Sequence, residues 1–131
     1  MIAEVERKIR DILVESRLFR AVELYDYELD GRRKFELPAA FVFYKGSELS
    51  PETNKTDRRD MEYEIVVFYG NGRDEIHGIL EGIYRLFNMK SGEELGLDDV
   101  VYMRVERDEY VGVKEGVYSW EILIKVRGVW R

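Results

Sequence analysis

Apolar residues recur every three or four positions at the start of the chain. Ile2, Val5, Ile9, Ile12 and Leu13 fall on one side, with Glu4, Arg7, Lys8 and Arg10 between them. That is the helical period, so the segment predicts an amphipathic helix running to about Arg20, whose apolar stripe must dock on something. The period then shortens. Ala21–Tyr27 is rich in β-formers and leads to the turn dipeptide Asp30-Gly31. Pro38 opens Ala39–Tyr44, which is apolar almost without a break, as in a strand covered on both faces. From Lys45 to Asp60 the chain turns polar around Gly46 and Pro51 and predicts a long loop. Glu62–Tyr69 predicts the next strand, closed by Gly70-Asn71-Gly72.

A second helix is predicted over about Asp74–Asn88, with Ile76, Ile79, Leu80, Ile83 and Phe87 as its stripe and Asn71 or Asp74 as its cap. Lys90–Asp98 predicts a loop. Asp99–Glu106 alternates, placing Val101, Met103 and Val105 on one face. Val117–Arg127 alternates more cleanly. Tyr118, Trp120, Ile122, Ile124 and Val126 oppose Ser119, Glu121, Lys125 and Arg127. The linker Asp108–Gly116 holds two glycines and suits an antiparallel hairpin. The resulting order is α-β-β-β-α-β-β. It implies an α+β fold with two helices packed on one face of a mostly antiparallel sheet, in a single domain over residues 1–131.

Composition narrows the chemistry. With 131 residues and no Cys, disulfides, Cys-ligated zinc, iron–sulfur clusters and thiol nucleophiles are all excluded. No stretch approaches the ~18 uncharged apolar residues that cross a bilayer. The opening residues mix charge with apolar side chains, unlike a secretory signal. The net charge is −6, a field that opposes nucleic acid as a main partner. Gln is absent and Asn occurs only at 54, 71 and 88, which points to a thermophilic source.

No residue set reads as catalytic. His77 is the one histidine, beside the apolar stripe of the second helix, and is expected to be structural or solvent-facing. Ser16, Ser47, Ser50, Ser91 and Ser119 lack a nucleophile context. Gly70-Asn71-Gly72 sits where a phosphate loop would, but a third glycine and a Walker lysine are missing. Asp74 and Glu75 put negative charge at the helix start, so a tight turn is the better reading. The acidic clusters Glu93-Glu94, Asp98-Asp99 and Glu106 with Asp108-Glu109 lack metal-ligand spacing and predict solvated loops. The basic groups Arg32-Arg33-Lys34 and Lys55 with Arg58-Arg59 carry no interleaved aromatics. Asn54-Lys55-Thr56 is a formal glycosylation sequon that carries no weight without secretion. No cofactor is expected.

One resemblance gives direction. The run Glu36-Leu37-Pro38-Ala39-Ala40-Phe41-Val42-Phe43-Tyr44-Lys45-Gly46 resembles the Pro-Ala, apolar strand, Tyr and Gly segment of tail terminator proteins from long-tailed phages, the minor tail protein U type. A polar loop, a strand like Tyr63–Tyr69, a helix, the charged Arg107-Asp108-Glu109 and a closing strand like Tyr118–Val126 complete the likeness, which spans nearly the whole chain. The resemblance implies a non-enzymatic virion protein. It would form a ring, typically hexameric, that caps the tail tube and joins it to the head connector, made in the cytoplasm and then built into the virion. Neither a membrane nor a specific nucleic acid is an expected partner. The loop Gly46–Asp60 is expected to be mobile in a free subunit and to order against a neighbour or the tail tube, with Lys55, Arg58 and Arg59 meeting acidic groups there. A solvated exposed loop is the plainer reading. The alternative function is a dimeric, small-molecule-binding or regulatory α+β domain with a pocket between helix and sheet.

Overall fold

A computed structural model describes residues 1–24, 35–51 and 57–130. The element order is α1 (Ile2–Ser16), β1 (Ala21–Leu24), β2 (Ala39–Pro51), β3 (Asp57–Tyr69), α2 (Arg73–Phe87), β4 (Lys90–Ser91), α3 (Gly92–Leu95), β5 (Val100–Lys114) and β6 (Val117–Trp130). The strands form one six-stranded sheet in the order β1-β2-β3-β6-β5-β4, antiparallel except for the β1–β2 pair. The α+β class, the two long helices and the predominantly antiparallel sheet agree with the sequence pattern. The Asp30-Gly31 turn, Tyr25–Tyr27, Arg32-Arg33-Lys34, Lys55 and the Asn54 sequon lie outside the described residues.

The core forms where one face of the sheet meets the stripes of α1 and α2. Val5, Ile9 and Leu13 from α1 and Ile76, Ile79, Ile83 and Phe87 from α2 are buried against Tyr63, Ile65 and Val67 of β3 and Ile122, Ile124 and Val126 of β6. Strand residues two apart share a face, so every second position of β3 and β6 goes under the helices. Polar groups tie the layers together. The Tyr63 hydroxyl donates to the Ile2 carbonyl (2.9 Å), and the Tyr44 N–H donates to Glu6 Oε2 (2.8 Å).

Five local expectations are corrected. First, α1 stops at Ser16 and not near Arg20. Ser16 Oγ donates to the Leu13 carbonyl at 2.6 Å and accepts from the Leu18 N–H at 3.2 Å, while Arg17 adopts the left-handed conformation.

Second, the predicted loop Lys45–Asp60 is mostly strand. β2 runs on to Pro51, and β3 begins at Asp57. The registers Glu48↔Asp60 and Asp60↔Arg127 show why: β6 extends to Trp130 and supplies a partner for this polar arm.

Third, Asp108–Lys114 belongs to β5 and is not a linker. The turn into β6 is only Glu115-Gly116, both at positive φ (53° and 79°), as a two-residue hairpin requires.

Fourth, Lys90–Asp98 contains β4 and α3. Ser91 and Glu94 form a reciprocal capping box.

Fifth, Val101 does not share the face of Met103 and Val105. The register shifts between Val100 and Tyr102 leave Val101 as the extra residue, exposed.

Candidate functional site

The turn at the head of α2 is structural. Its N-cap is Gly72, without a side-chain cap bond, so neither Asn71 nor Asp74 caps the helix. Instead Glu75 reaches back and accepts from the Gly70 and Asn71 N–H groups (3.3 and 3.4 Å) and from Asn71 Nδ2 (3.0 Å). A carboxylate therefore occupies the place a bound phosphate would take. His77 is exposed on α2. Three of the five serines do structural work: Ser16 and Ser91 at helix ends, and Ser119 donating to the Gly112 carbonyl. Among the described residues no group of three or more His, Asp or Glu is placed to hold a metal ion, and no helix is long and apolar enough to cross a membrane.

Asp108, read from the sequence as part of a solvated acidic cluster, is instead a hub. The Tyr84 hydroxyl donates to its Oδ2 (2.7 Å) and the Trp120 indole N–H donates to its Oδ1 (2.9 Å), which ties α2 to β5 and β6. Burial and this bond push the Tyr84 hydroxyl up to about 12. The β5 bulge between Val105 and Arg107 makes it possible, because one extra residue turns Asp108 to the helix side.

The first surface of interest is the outer edge of β5. β4 pairs with β5 only at Tyr102 and Met103, so from Arg104 to Lys114 no strand covers this edge among the described residues. The Val105 N–H is met by Asn88 Oδ1 (3.2 Å). Farther along, Tyr110, Val111 and Val113 are 45%, 53% and 56% exposed. Beside them an open groove of about 460 Å³ lies between α2 and the β5–β6 end, lined by Tyr69, Ile76, His77, Tyr110, Tyr118 and Trp120. An open edge with apolar side chains is a template for adding a strand from another chain.

The second surface is the sheet face that α1 and α2 leave bare. Strand register orders it in rows. Phe41, Val66, Glu121 and Glu109 form one, Phe43, Glu64, Leu123 and Arg107 the next, and then Gly46, Glu62, Lys125 and Arg104. Glu48, Asp60, Arg127 and Tyr102 follow. Towards the Phe41 end it is aromatic, with the rings of Phe35, Phe41 and Phe68 packed together at centroid distances of 4.9–5.7 Å, Phe41 meeting the other two edge-on. Towards the other end it is charged. Arg127 grips Asp60 with two nitrogens (2.8 and 3.1 Å), which holds the Asp60 carboxyl below its usual range, and lies 5.3 Å from the Tyr102 ring centre. At the centre Glu64 is only 8% exposed and lies diagonally across from Glu121. Burial first, and that neighbour second, raise its carboxyl to about 7.

Of the sequence-predicted contact residues, Lys55 lies outside the described residues, and the described Arg58 and Arg59 do not share a face. Arg58 and Arg59 are consecutive in β3, so they point to opposite faces, and both are half-buried. The signals missed in the sequence are the Glu64–Glu121 pair and the β5 edge. Both depend on cross-strand register, which no local pattern reveals.

No family model matches the chain, and no curated protein matches it. Among solved structures, one chain from the virion of a native gene transfer agent (GTA) particle aligns with a TM-score of 0.62. The alignment covers 96% of this chain and 92% of that chain at 12% sequence identity. At that identity the likeness establishes a shared fold.

Proposed function

We propose that the chain is a structural subunit of a phage-like particle, and more narrowly a tail-terminator-like protein. In this reading it forms a ring that caps the tail tube and joins it to the head connector. The observation that carries this is the near full-length fold likeness to a virion chain, with 96% and 92% of the two chains aligned. The β5 edge supports it: an open strand carrying exposed Val111 and Val113 suits a head-to-tail contact that closes into a ring. Chemistry plays no part in this role. Lys55, which lies between β2 and β3 in sequence, and Arg58 and Arg59 of β3 would meet acidic groups of a neighbour and add specificity and salt dependence.

Mass in solution across a concentration series tests this reading. A discrete closed oligomer that Val111→Lys with Val113→Lys reduces to the monomer supports it. A strict monomer at every concentration, with or without tube protein, overturns it. The aromatic groove favours one rival, a ligand-binding dimer. A large thermal stabilisation by a single metabolite, lost in Trp120→Ala, would select that rival.

A further inference from the structure

We propose that Glu64 and Glu121 form a proton-sharing pair that switches the bare face of the sheet between a singly charged centre in mildly acidic medium and a doubly charged, loosened centre in mildly alkaline medium. The inference concerns the subunit itself and is independent of the particle role proposed above.

The geometry begins with register. Glu64 pairs with Leu123, and Glu121 pairs with Val66, so the two carboxyls are diagonal neighbours across β3 and β6 on the same face. Two unprotonated carboxylates placed this close repel each other, so a proton held by the pair is favoured. Glu64 is buried to 8% among Phe43, Val66 and Leu123, which leaves little water to stabilise a charge. Burial and the neighbouring carboxylate together bring its titration to about 7, far above an ordinary Glu.

Every strand that flanks the pair brings charge to it. β2 contributes Lys45, β3 Glu62, β6 Lys125 and β5 Arg107 and Glu109, while Glu23 of β1 lies beyond Phe41. Lys45 and Arg107 favour the charged form of Glu64, and Glu109 stands directly across from Glu121. Lys45 and Arg107 both lie at register shifts, between Tyr44 and Gly46 and between Val105 and Arg107, where the ladder is locally loosened. Arg107 lies 3.8 Å from Glu109. When Glu64 gives its proton to solvent, two adjacent negative charges remain. Lys45 and Arg107 are the groups placed to compensate, so Arg107 divides between Glu109 and Glu64. Whatever covers this face meets a surface that differs by one charge across neutral pH.

The sign follows from linkage. The folded chain keeps a proton that the unfolded chain has already released, so folding stability falls as pH rises between the ordinary Glu range and about 7. One bound proton allows at most about a tenfold fall in the folding constant per pH unit in that window.

The test is a pH titration of the side-chain carboxyl carbons by NMR, joined to denaturant unfolding across the same range in a His77→Gln background, which removes the one histidine. The expected result is a Glu64 carboxyl with a midpoint near 7 in the folded protein, and a stability slope that Glu64→Gln flattens. The amide keeps a donor toward Glu121 without the titration. In Glu121→Gln the Glu64 midpoint falls but stays elevated by burial. A Glu64 carboxyl titrating with the ordinary carboxylates, or an unchanged slope in Glu64→Gln, overturns the proposal. If that variant does not fold, the wild-type NMR midpoint decides alone.

Discussion

The same strands build two unlike faces. On the helix side, β3 shows Tyr63, Ile65 and Val67, all fully buried. On the other it shows Glu62, Glu64 and Val66, of which only Glu64 is buried. Alternation sends the apolar set to one side and leaves the other to mixed chemistry. The helix side is held by burial, which is non-directional and insensitive to pH and salt. Among the described residues the bare side carries aromatic ring contacts, a bidentate ion pair and the proposed shared proton, of which the last two respond to pH. A fold that needed only one good face would gain nothing from placing a carboxylate pair at the centre of the other. Under the particle role proposed above, the bare face and the β5 edge are then the surfaces offered for recognition.

The largest expected effect lies under the helices. Phe87 is fully buried at the end of α2, so Phe87→Ala should cost about 3–5 kcal/mol in urea unfolding. Val66→Ala, on the bare face of β3, should cost distinctly less, because Val66 is only half-buried. Equal costs would mean that the bare face is as tightly packed as the core, and the comparison would fail. Gly92 belongs with the large effects for a steric reason. A Cβ there would overlap the Val100 and Leu97 carbonyls, so Gly92→Ala should dislodge α3 from β5.

Next comes the hub between the layers. Asp108→Ala removes the acceptor of both Tyr84 and Trp120, so a loss of about 2–3 kcal/mol is expected, with a shift in Trp fluorescence. Asp108→Asn should cost less, since an amide oxygen still accepts one of the two bonds. A neutral Asp108→Ala would show that α2 is held by its apolar stripe alone.

A smaller effect comes from the ion pair on the bare face. Asp60→Asn should cost about 1 kcal/mol, given that both partners remain partly exposed. Its pH dependence has the opposite sign to that of Glu64. Arg127 lowers the Asp60 carboxyl in the folded state, so the stabilisation is complete above the ordinary Asp range and is lost as pH falls through the lowered value. Glu64 instead destabilises as pH rises toward about 7. Two carboxylates on one face thus set an upper and a lower slope, and stability should peak in mildly acidic solution. A flat profile from acid to neutral would break the link between this face and pH.

Much of this fold is legible in the local sequence, and the exceptions share a cause. The stripes of α1 and α2 and the two faces of β6 follow from local period alone, and the buried residues match them. The arm Lys45–Asp60 was misread as a loop because its strands are polar, and only pairing with β6 makes them strands. Asp108–Lys114 looked like a linker because bulges between Val105 and Arg107 and between Tyr110 and Gly112 break the alternation that signals a strand. The α3 start was present as Ser91-Gly92-Glu93-Glu94, a capping-box pattern that composition masked as an acidic loop. The end of α1 had no such signal, because Arg17 takes a left-handed conformation where glycine is usual. Glu64 was invisible for a deeper reason: its partner is fifty-seven positions away and is set by register alone.

The smallest effect is expected on the outer side of the covering layer. Arg10 and Asp11 form a 3.0 Å ion pair on α1, with 34% and 55% of their side chains exposed. Water screens such a pair, and holding two side chains in one geometry costs entropy, so Asp11→Ala should change stability by less than about 0.5 kcal/mol. Moderate salt should leave the difference unchanged, since little attraction exists for it to screen. The measurement also asks whether α1 is only a cover. If Asp11→Ala leaves the monomer untouched yet lowers the mass of the assembled species, then α1 carries an assembly contact. Recognition would then extend beyond the bare face and the β5 edge to the layer that hides the core.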